Sequence, residues 1–325
     1  MENMTQEDKI VRRLVRWGKK QASVRAMLLT STRTNPDAPV DVFSDYDVIL
    51  AVTDIRPFHE DDAWLEDFGK VLVVYRDPIR LEYGCEKFAR ITQYEDGLKI
   101  DFTVYPVALL QWIVADSALP VDLDVGYAVL IDKDHLTDRL KPPTYTAFIP
   151  SPPTEKAYQT LIETFIHEAT YVAKHLWRDD LLPAKYNLDY AMKHRCLRQM
   201  LEWRMEMDHD WSVRPGAYGK GLKKHLPPDI WAELEGTYVG AGLDENWEAL
   251  FETIALFRKV AVQVGDHLGH AYPHDLDRRA VQYLQSVRSL DCQAETLWSG
   301  NRNGRACGGC THRTMSLKVG HNAEN

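Results

Sequence analysis

Three aspartates are the residues whose type and spacing best suit chemistry. Asp45 and Asp47 lie two apart where an apolar run begins, and Asp101 opens a similar run about fifty residues later. Side chains two apart on a strand point to one face, roughly 6.6 Å apart. Like charges in apolar surroundings are costly unless a cation neutralises them, and oxygen ligands suit Mg²⁺. We therefore predict a divalent-cation site at Asp45 and Asp47, joined by Asp101 if its strand pairs alongside.

Predicted strands position these acids. Apolar residues from Val24 to Leu29 indicate a strand that leads into a loop at Ser31–Pro36, and the acidic strand follows that loop. Asp96-Gly97 is a hairpin signal between two strand-like runs, so Asp101 lies on the returning arm. An amphipathic helix at Thr5–Lys20 is predicted to precede the sheet.

The second half of the chain is predicted to be helical. Prolines near Ile149–Pro153 break the pattern, and apolar residues then recur at helical spacing as far as Leu290. The fold class is therefore α+β, with an N-terminal mixed β-sheet domain flanked by helices and a C-terminal helical bundle. The predicted boundaries are residues 1–150, residues 151–290 and a mostly disordered tail at 291–325.

Composition restricts the classes of partner. The 325 residues carry a formal net charge of −9, which disfavours a nucleic-acid polymer and favours cationic small molecules. No apolar stretch is long enough to span a membrane and no signal-peptide core is visible, so we expect a cytoplasmic protein. The sequence does not determine the oligomeric state.

Five cysteines, an odd number, favour reduced thiols over a disulfide framework. Cys292, Cys307, Cys310 and His312 include the elements of a zinc knuckle, although the spacing from Cys292 is long. An extension of an otherwise complete pair of domains explains this tail as well as zinc binding does.

Paired carboxylates, a third acid on a neighbouring strand and a Ser/Thr loop are typical of phosphoryl or nucleotidyl transfer. Ser31-Thr32-Arg33-Thr34-Asn35, Asp45-Tyr46-Asp47 and Ile100-Asp101 resemble the core of the polymerase-β-type nucleotidyltransferase superfamily. Residues 172–178, 200–203, 219–224 and 256–261 narrow the resemblance to the aminoglycoside 6-adenylyltransferases, over about Met4 to Leu290.

That resemblance implies transfer of AMP from ATP, with one or two Mg²⁺ ions, to a hydroxyl of streptomycin. It makes Asp45 and Asp47 metal ligands, and Asp101 a third ligand and the candidate general base. It also implies that Ser31 and Thr32 face the triphosphate. Arg33 or Lys174 would offset the triphosphate charge.

The resemblance also directs attention to acids of the helical domain. Carboxylates bind a guanidinium in a bidentate manner, so Asp189, Glu202 and Asp179 are candidates to hold those groups of streptomycin. For Asp189 the alternative is a helical ion pair with Lys193, four residues on.

One position departs from the family pattern. The family usually has Gly-Ser where this chain has Ser31-Thr32, and glycine lets a backbone approach phosphate closely. This departure leaves open a catalytically impaired homologue that binds nucleotide or drug. A second alternative is a nucleotidyltransferase with a different small acceptor.

Overall fold

The computed structural model describes residues 6–213, 216–291 and 294. They form two compact units. The first comprises the chain up to Pro152 together with Glu202–Leu226, and the second comprises Pro153–Leu201 and the described residues from Pro227 onward. The predictions for the tail, including Cys292, Cys307 and Cys310, lie outside the described residues.

The first unit is built on a mixed β-sheet. Its strands are β1 Val24–Thr30, β2 Tyr46–Val52, β3 Val71–Arg76, β4 Arg80–Glu82, β5 Cys85–Tyr94, β6 Lys99–Pro106 and β7 Tyr127–Asp132. The order is β3-β5-β6-β2-β1-β7, with β4 paired to β5. Within the described strands, β2 and β6 pair in parallel and the other pairs are antiparallel. With the helices that follow, this confirms the α+β fold class.

Both faces of the sheet are covered by apolar side chains. The helices and turns of this unit are α1 Gln6–Lys20, α2 Arg56–Glu60, α3 Val107–Ala115, α4 Val121–Asp124 and 3₁₀ turns at Ser31–Thr34 and Ala63–Phe68. Leu14 and Trp17 of α1 pack on one face, and Leu109 and Leu110 of α3 on the other. Strand β2 is therefore buried on both faces, which explains its continuous apolar run.

The predicted hairpin is present. Strands β5 and β6 pair from Phe88 opposite Val104 to Gln93 opposite Lys99. Gly97 occupies the turn at φ +89°, a conformation that glycine adopts without steric cost. Strand β6 lies between β5 and β2 in the sheet.

The second unit is helical. Its helices are α5 Glu155–Trp177, α6 Leu181–Lys185, a π-helical segment Tyr186–Leu197, the start of α7 Arg198–Met207, α9 Pro228–Gly236, α10 Leu243–Leu268 and α11 His274–Arg288. The short α8 Leu222–His225 and a 3₁₀ turn at Ala217–Gly219 belong to the first unit. Thr154 caps α5 by accepting a hydrogen bond from the Ala157 amide, which is the usual role of a threonine just before a helix.

Helices α5 and α10 share a dense apolar seam. The rings of Phe165 and Phe257 stack at 3.7 Å, and the buried Tyr158 hydroxyl donates to the Ala261 carbonyl at 2.8 Å. A Cβ at Gly265 would lie 2.6 Å from the Tyr158 hydroxyl, so this crossing requires glycine. No helix in the described ranges combines the length and the apolar character that a membrane crossing needs.

A buried arginine ties the sheet to the segment before β3. Arg90 on β5 is 2% exposed, and its guanidinium donates to Asp62 at 2.7 Å and to the His59 carbonyl at 2.7 Å. Asp62 also pairs with Arg76 at 2.6 Å. Removing one partner of a buried ion pair leaves an uncompensated charge.

We expect Asp62→Asn to lower the free energy of unfolding by about 3 kcal/mol, because Arg90 stays buried without a counter-charge. Glu95→Gln is the matched control, since Glu95 pairs with Lys70 in an exposed setting and should cost less than about 1 kcal/mol. Denaturant unfolding of the full chain, followed by tryptophan fluorescence, measures both. Equal effects of the two substitutions would contradict this account of Arg90.

Candidate active site

The parallel pairing of β2 and β6 brings the acidic segments together. Asp47 is the register partner of Asp101, and on its other side Asp47 is paired with Thr30, the last residue of β1. The prediction that the Asp101 strand pairs alongside is confirmed. Because Ser31 follows Thr30 directly, the loop begins beside the same acids.

The acids lie at one end of one face of the sheet. Side chains alternate along a strand, so Asp47 shares its face with Ile49 and Ala51. Those two residues are buried beneath α3, whereas Asp47 and Asp101 are partly exposed. The site therefore combines an apolar floor with access at the strand ends.

A lysine joins two of the three acids. The Lys99 ammonium donates to Asp45 Oδ2 and, at 3.0 Å, to Asp101 Oδ2. Asp101 Oδ1 is buried and has no hydrogen-bond partner among the described residues. Lys99 was not among the residues predicted for the site, although its position two before Asp101 places it on the same face.

The pKa values follow from burial and like charge. Burial, together with the charges of Asp101 and Asp45, raises the pKa of Asp47 to about 6. Burial likewise raises the pKa of Asp101, against the opposing effect of Lys99. For Lys99 burial lowers the pKa, but the hydrogen bonds to Asp45 and Asp101 outweigh it and the net pKa is raised.

The donor set suits a hard divalent cation. The site has three carboxylates, the pKa of Asp47 is raised to about 6, and Asp101 Oδ1 is buried without a hydrogen-bond partner among the described residues. The site therefore has more negative charge than the neighbouring side chains neutralise. As they stand, no three His, Cys, Asp or Glu side chains in the described chain are arranged around one point as metal ligands. Asp45, Asp47 and Asp101 are the residues that would hold Mg²⁺ by chemistry, and that role remains a prediction.

The loop after β1 is anchored by the segment before β7. The Ser31 amide donates to the Gly126 carbonyl at 3.1 Å, and the Asn35 side chain donates to the Val125 carbonyl at 3.2 Å. Gly126 has φ +128°, and a Cβ there would lie 2.9 Å from the Thr34 carbonyl oxygen. The close approach of Gly126 to the loop was not predicted, because a single Val-Gly pair in the sequence does not indicate it.

Ser31 adopts the backbone conformation that the family's glycine would favour. Its φ is +67°, in the left-handed region that costs a non-glycine residue roughly 1 kcal/mol or more. Its hydroxyl makes a hydrogen bond to Asp47 that acts to lower the pKa of that carboxyl. The serine therefore retains the turn and adds a contact that glycine lacks.

Arg33 positions the entry to β2. Its guanidinium donates to the carbonyls of Asp45 at 3.0 Å and Ser44 at 2.7 Å, and lies 3.9 Å from the centre of the Tyr46 ring. These contacts hold the backbone that carries Asp45. Thr32 lies partly exposed in the same turn, and the predicted contacts of Thr32 and Arg33 with a triphosphate stay predictions.

Three of the predicted binding residues belong to the second unit. The Lys174 ammonium lies 4.1 Å from the centre of the Tyr171 ring, and Asp179 is exposed just after α5. Asp189 pairs with Lys185 at 2.7 Å and with the buried Lys193 at 2.8 Å, so the helical ion pair foreseen for it is present.

Glu202 differs from these residues in both position and burial. It belongs to the first unit and is 5% exposed. The predicted roles of Asp179, Asp189 and Glu202 in binding a guanidinium stay predictions.

Comparison with known proteins identifies the family. Residues 4–287 match the family model described as streptomycin adenylyltransferase. An aminoglycoside 6-adenylyltransferase of Bacillus subtilis (strain 168) is 32% identical over 81% of this chain and 91% of its own length. One from Campylobacter jejuni is 28% identical over 83% of this chain and 92% of its own length.

A solved structure can also be aligned with this chain. A crystal structure of an aminoglycoside 6-adenyltransferase from Bacillus subtilis aligns with 88% of this chain and 100% of its own, with 26% identity and a TM-score of 0.44. The family match covers both units of the fold and every candidate residue at the acidic site. The chain belongs to the streptomycin adenylyltransferase family and is a nucleotidyltransferase.

Proposed function

We propose that this protein transfers AMP from MgATP to a hydroxyl of streptomycin and releases pyrophosphate. The observation that carries the proposal is the register of β2 against β6, which sets Asp47 opposite Asp101 with the Ser31 hydroxyl on Asp47. Nucleotidyl transfer needs acids that hold a cation next to a loop that can contact phosphates, and the position of these acids beside the Ser31 loop supports both roles. The family match supports the same chemistry.

Each residue has a role in this reaction. Bound Mg²⁺ would supply charge stabilisation at the phosphates. Asp45 and Asp47 would hold the cation, and the Ser31 hydroxyl with the amide and hydroxyl of Thr32 would face the triphosphate, because the Ser31 amide already donates to the Gly126 carbonyl. Arg33 or Lys174 would offset the negative charge of the triphosphate.

Asp101 completes the site as general base. The acceptor oxygen forms a bond to the α-phosphorus, the bond from that phosphorus to pyrophosphate breaks, and Asp101 accepts the hydroxyl proton. Burial raises the pKa of Asp101, which makes its carboxylate a stronger base.

The acidic composition supports a cationic acceptor. A net charge of −9 attracts a drug that carries guanidinium groups, and Asp189, Glu202 and Asp179 are the carboxylates proposed to bind them. A different small acceptor remains the alternative within the same chemistry.

Asp47→Asn and Asp101→Asn should each lower kcat/KM for pyrophosphate release by about 100-fold or more, since one removes a cation ligand and the other the base. The assay uses MgATP with streptomycin. Asp96→Asn is the control, because Asp96 lies in the β5–β6 turn and an asparagine can still accept from the Leu98 amide. Pyrophosphate release that is insensitive to Asp47→Asn would refute the mechanism.

Asp189→Asn should raise the KM for streptomycin about tenfold with little change in kcat, because a charged hydrogen bond to a guanidinium is lost. Lys185→Met is the comparison, since it breaks one of the two ion pairs but leaves the Asp189 carboxylate in place. A purely structural Asp189 would change the melting temperature in both variants and the KM in neither. Turnover of kanamycin or spectinomycin in place of streptomycin would favour the alternative acceptor.

Ser31→Gly should lower the KM for ATP a few-fold, since glycine relieves the left-handed φ and lets the backbone approach phosphate more closely. Ser31→Ala keeps the Cβ and removes the hydroxyl, so it separates the two effects. If both variants raise the KM equally, the hydroxyl is the group that ATP binding needs. Steady-state kinetics with varied ATP decide between these outcomes.

A further inference from the structure

Lys99 is a fixed positive charge among the acids of the candidate site. Its ammonium contacts one oxygen of Asp45 and one oxygen of Asp101 at the same time. Its side chain is 30% exposed, so part of it is in contact with solvent. Neither of these two contacts involves Asp47.

The fold sets this position. Lys99 opens β6 two residues before Asp101, and its pairing with Gln93 in the hairpin fixes the face on which its side chain lies. Asp45 comes from the segment that enters β2, the parallel neighbour of β6. The lysine therefore bridges two segments that are far apart in sequence.

The oxygens that Lys99 contacts belong to two of the three carboxylates proposed to hold the cation. A cation shared by Asp45 and Asp101 would lie within about 4 Å of the ammonium, where two positive charges repel strongly in partly buried surroundings. Lysine has a long flexible stem, so its ammonium can leave towards solvent. A triphosphate brought in beside the loop would offer it a new partner.

We propose that Lys99 is a tethered counter-ion that occupies the cation position between Asp45 and Asp101 until a metal-bound nucleotide displaces it. This inference rests on the proposed function, because it requires the acids to be a cation site. Its consequence is that the nucleotide-free protein binds free divalent cations weakly. Metal then enters together with the nucleotide.

The test is Mn²⁺ binding to the full chain without nucleotide, measured by electron paramagnetic resonance of the free ion. Lys99→Met should bind Mn²⁺ about tenfold more tightly than the wild type, because the competing charge is gone. Lys99→Gln serves as a second variant, since its amide can still hydrogen-bond to the acids if methionine impairs folding. Lys70→Met is the control and should match the wild type, because Lys70 pairs with Glu95 in the β3–β5 region.

Three outcomes overturn the inference. Lys99 variants that bind Mn²⁺ within twofold of the wild type would make the lysine a structural ion pair only. Binding undetectable in the wild type and in both variants would also exclude the role. If Asp47→Asn leaves Mn²⁺ binding unchanged, these acids are not the cation site, and the proposed function is contradicted as well. If Asp47→Asn abolishes Mn²⁺ binding while the Lys99 variants match the wild type, only the role of Lys99 is contradicted.

Discussion

The parallel pairing of β2 with β6 is the constraint on which the site depends. It sets Asp47 opposite Asp101, and the antiparallel pairing of β1 on the other side of β2 delivers Ser31 to the same place. The β5–β6 hairpin permits this pairing, because it places β6 between β5 and β2 in the sheet. A slip of one residue in that register would send Asp101 to the opposite face.

Concentrating carboxylates at a strand end has an electrostatic cost, and local contacts offset part of it. The Lys99 ammonium offsets part of the negative charge of Asp45 and Asp101, and the Ser31 hydroxyl donates to Asp47. The remaining cost is visible in the pKa of Asp47, which burial and its acidic neighbours raise to about 6. Acids whose pKa values are perturbed by burial and by like charges cluster at functional sites.

Local pattern predicted much of the fold. The strands that carry Asp47 and Asp101 and the Asp96-Gly97 turn each depend on neighbours in sequence, and each is present. These features could be predicted because strand and helix periodicity are local properties.

Contacts between distant segments could not be predicted in the same way. The bridge from Lys99 to Asp45 and the approach of Gly126 to Thr34 depend on how separate segments meet. The grouping of Glu202–Leu226 with the first unit is likewise a product of tertiary packing, which a boundary at one proline-rich stretch does not anticipate. The boundaries at residues 150 and 290 stay predictions.

The most direct measurement is a crystal structure of the protein with Mn²⁺ and a non-hydrolysable ATP analogue, with the metal located by anomalous scattering. We expect a metal peak within about 2.0–2.4 Å of oxygens from Asp45 and Asp47, with Asp101 adjacent and the Lys99 ammonium moved off the acids. A metal bound away from these carboxylates, or Lys99 still bridging Asp45 and Asp101 beside a bound nucleotide, would contradict the account.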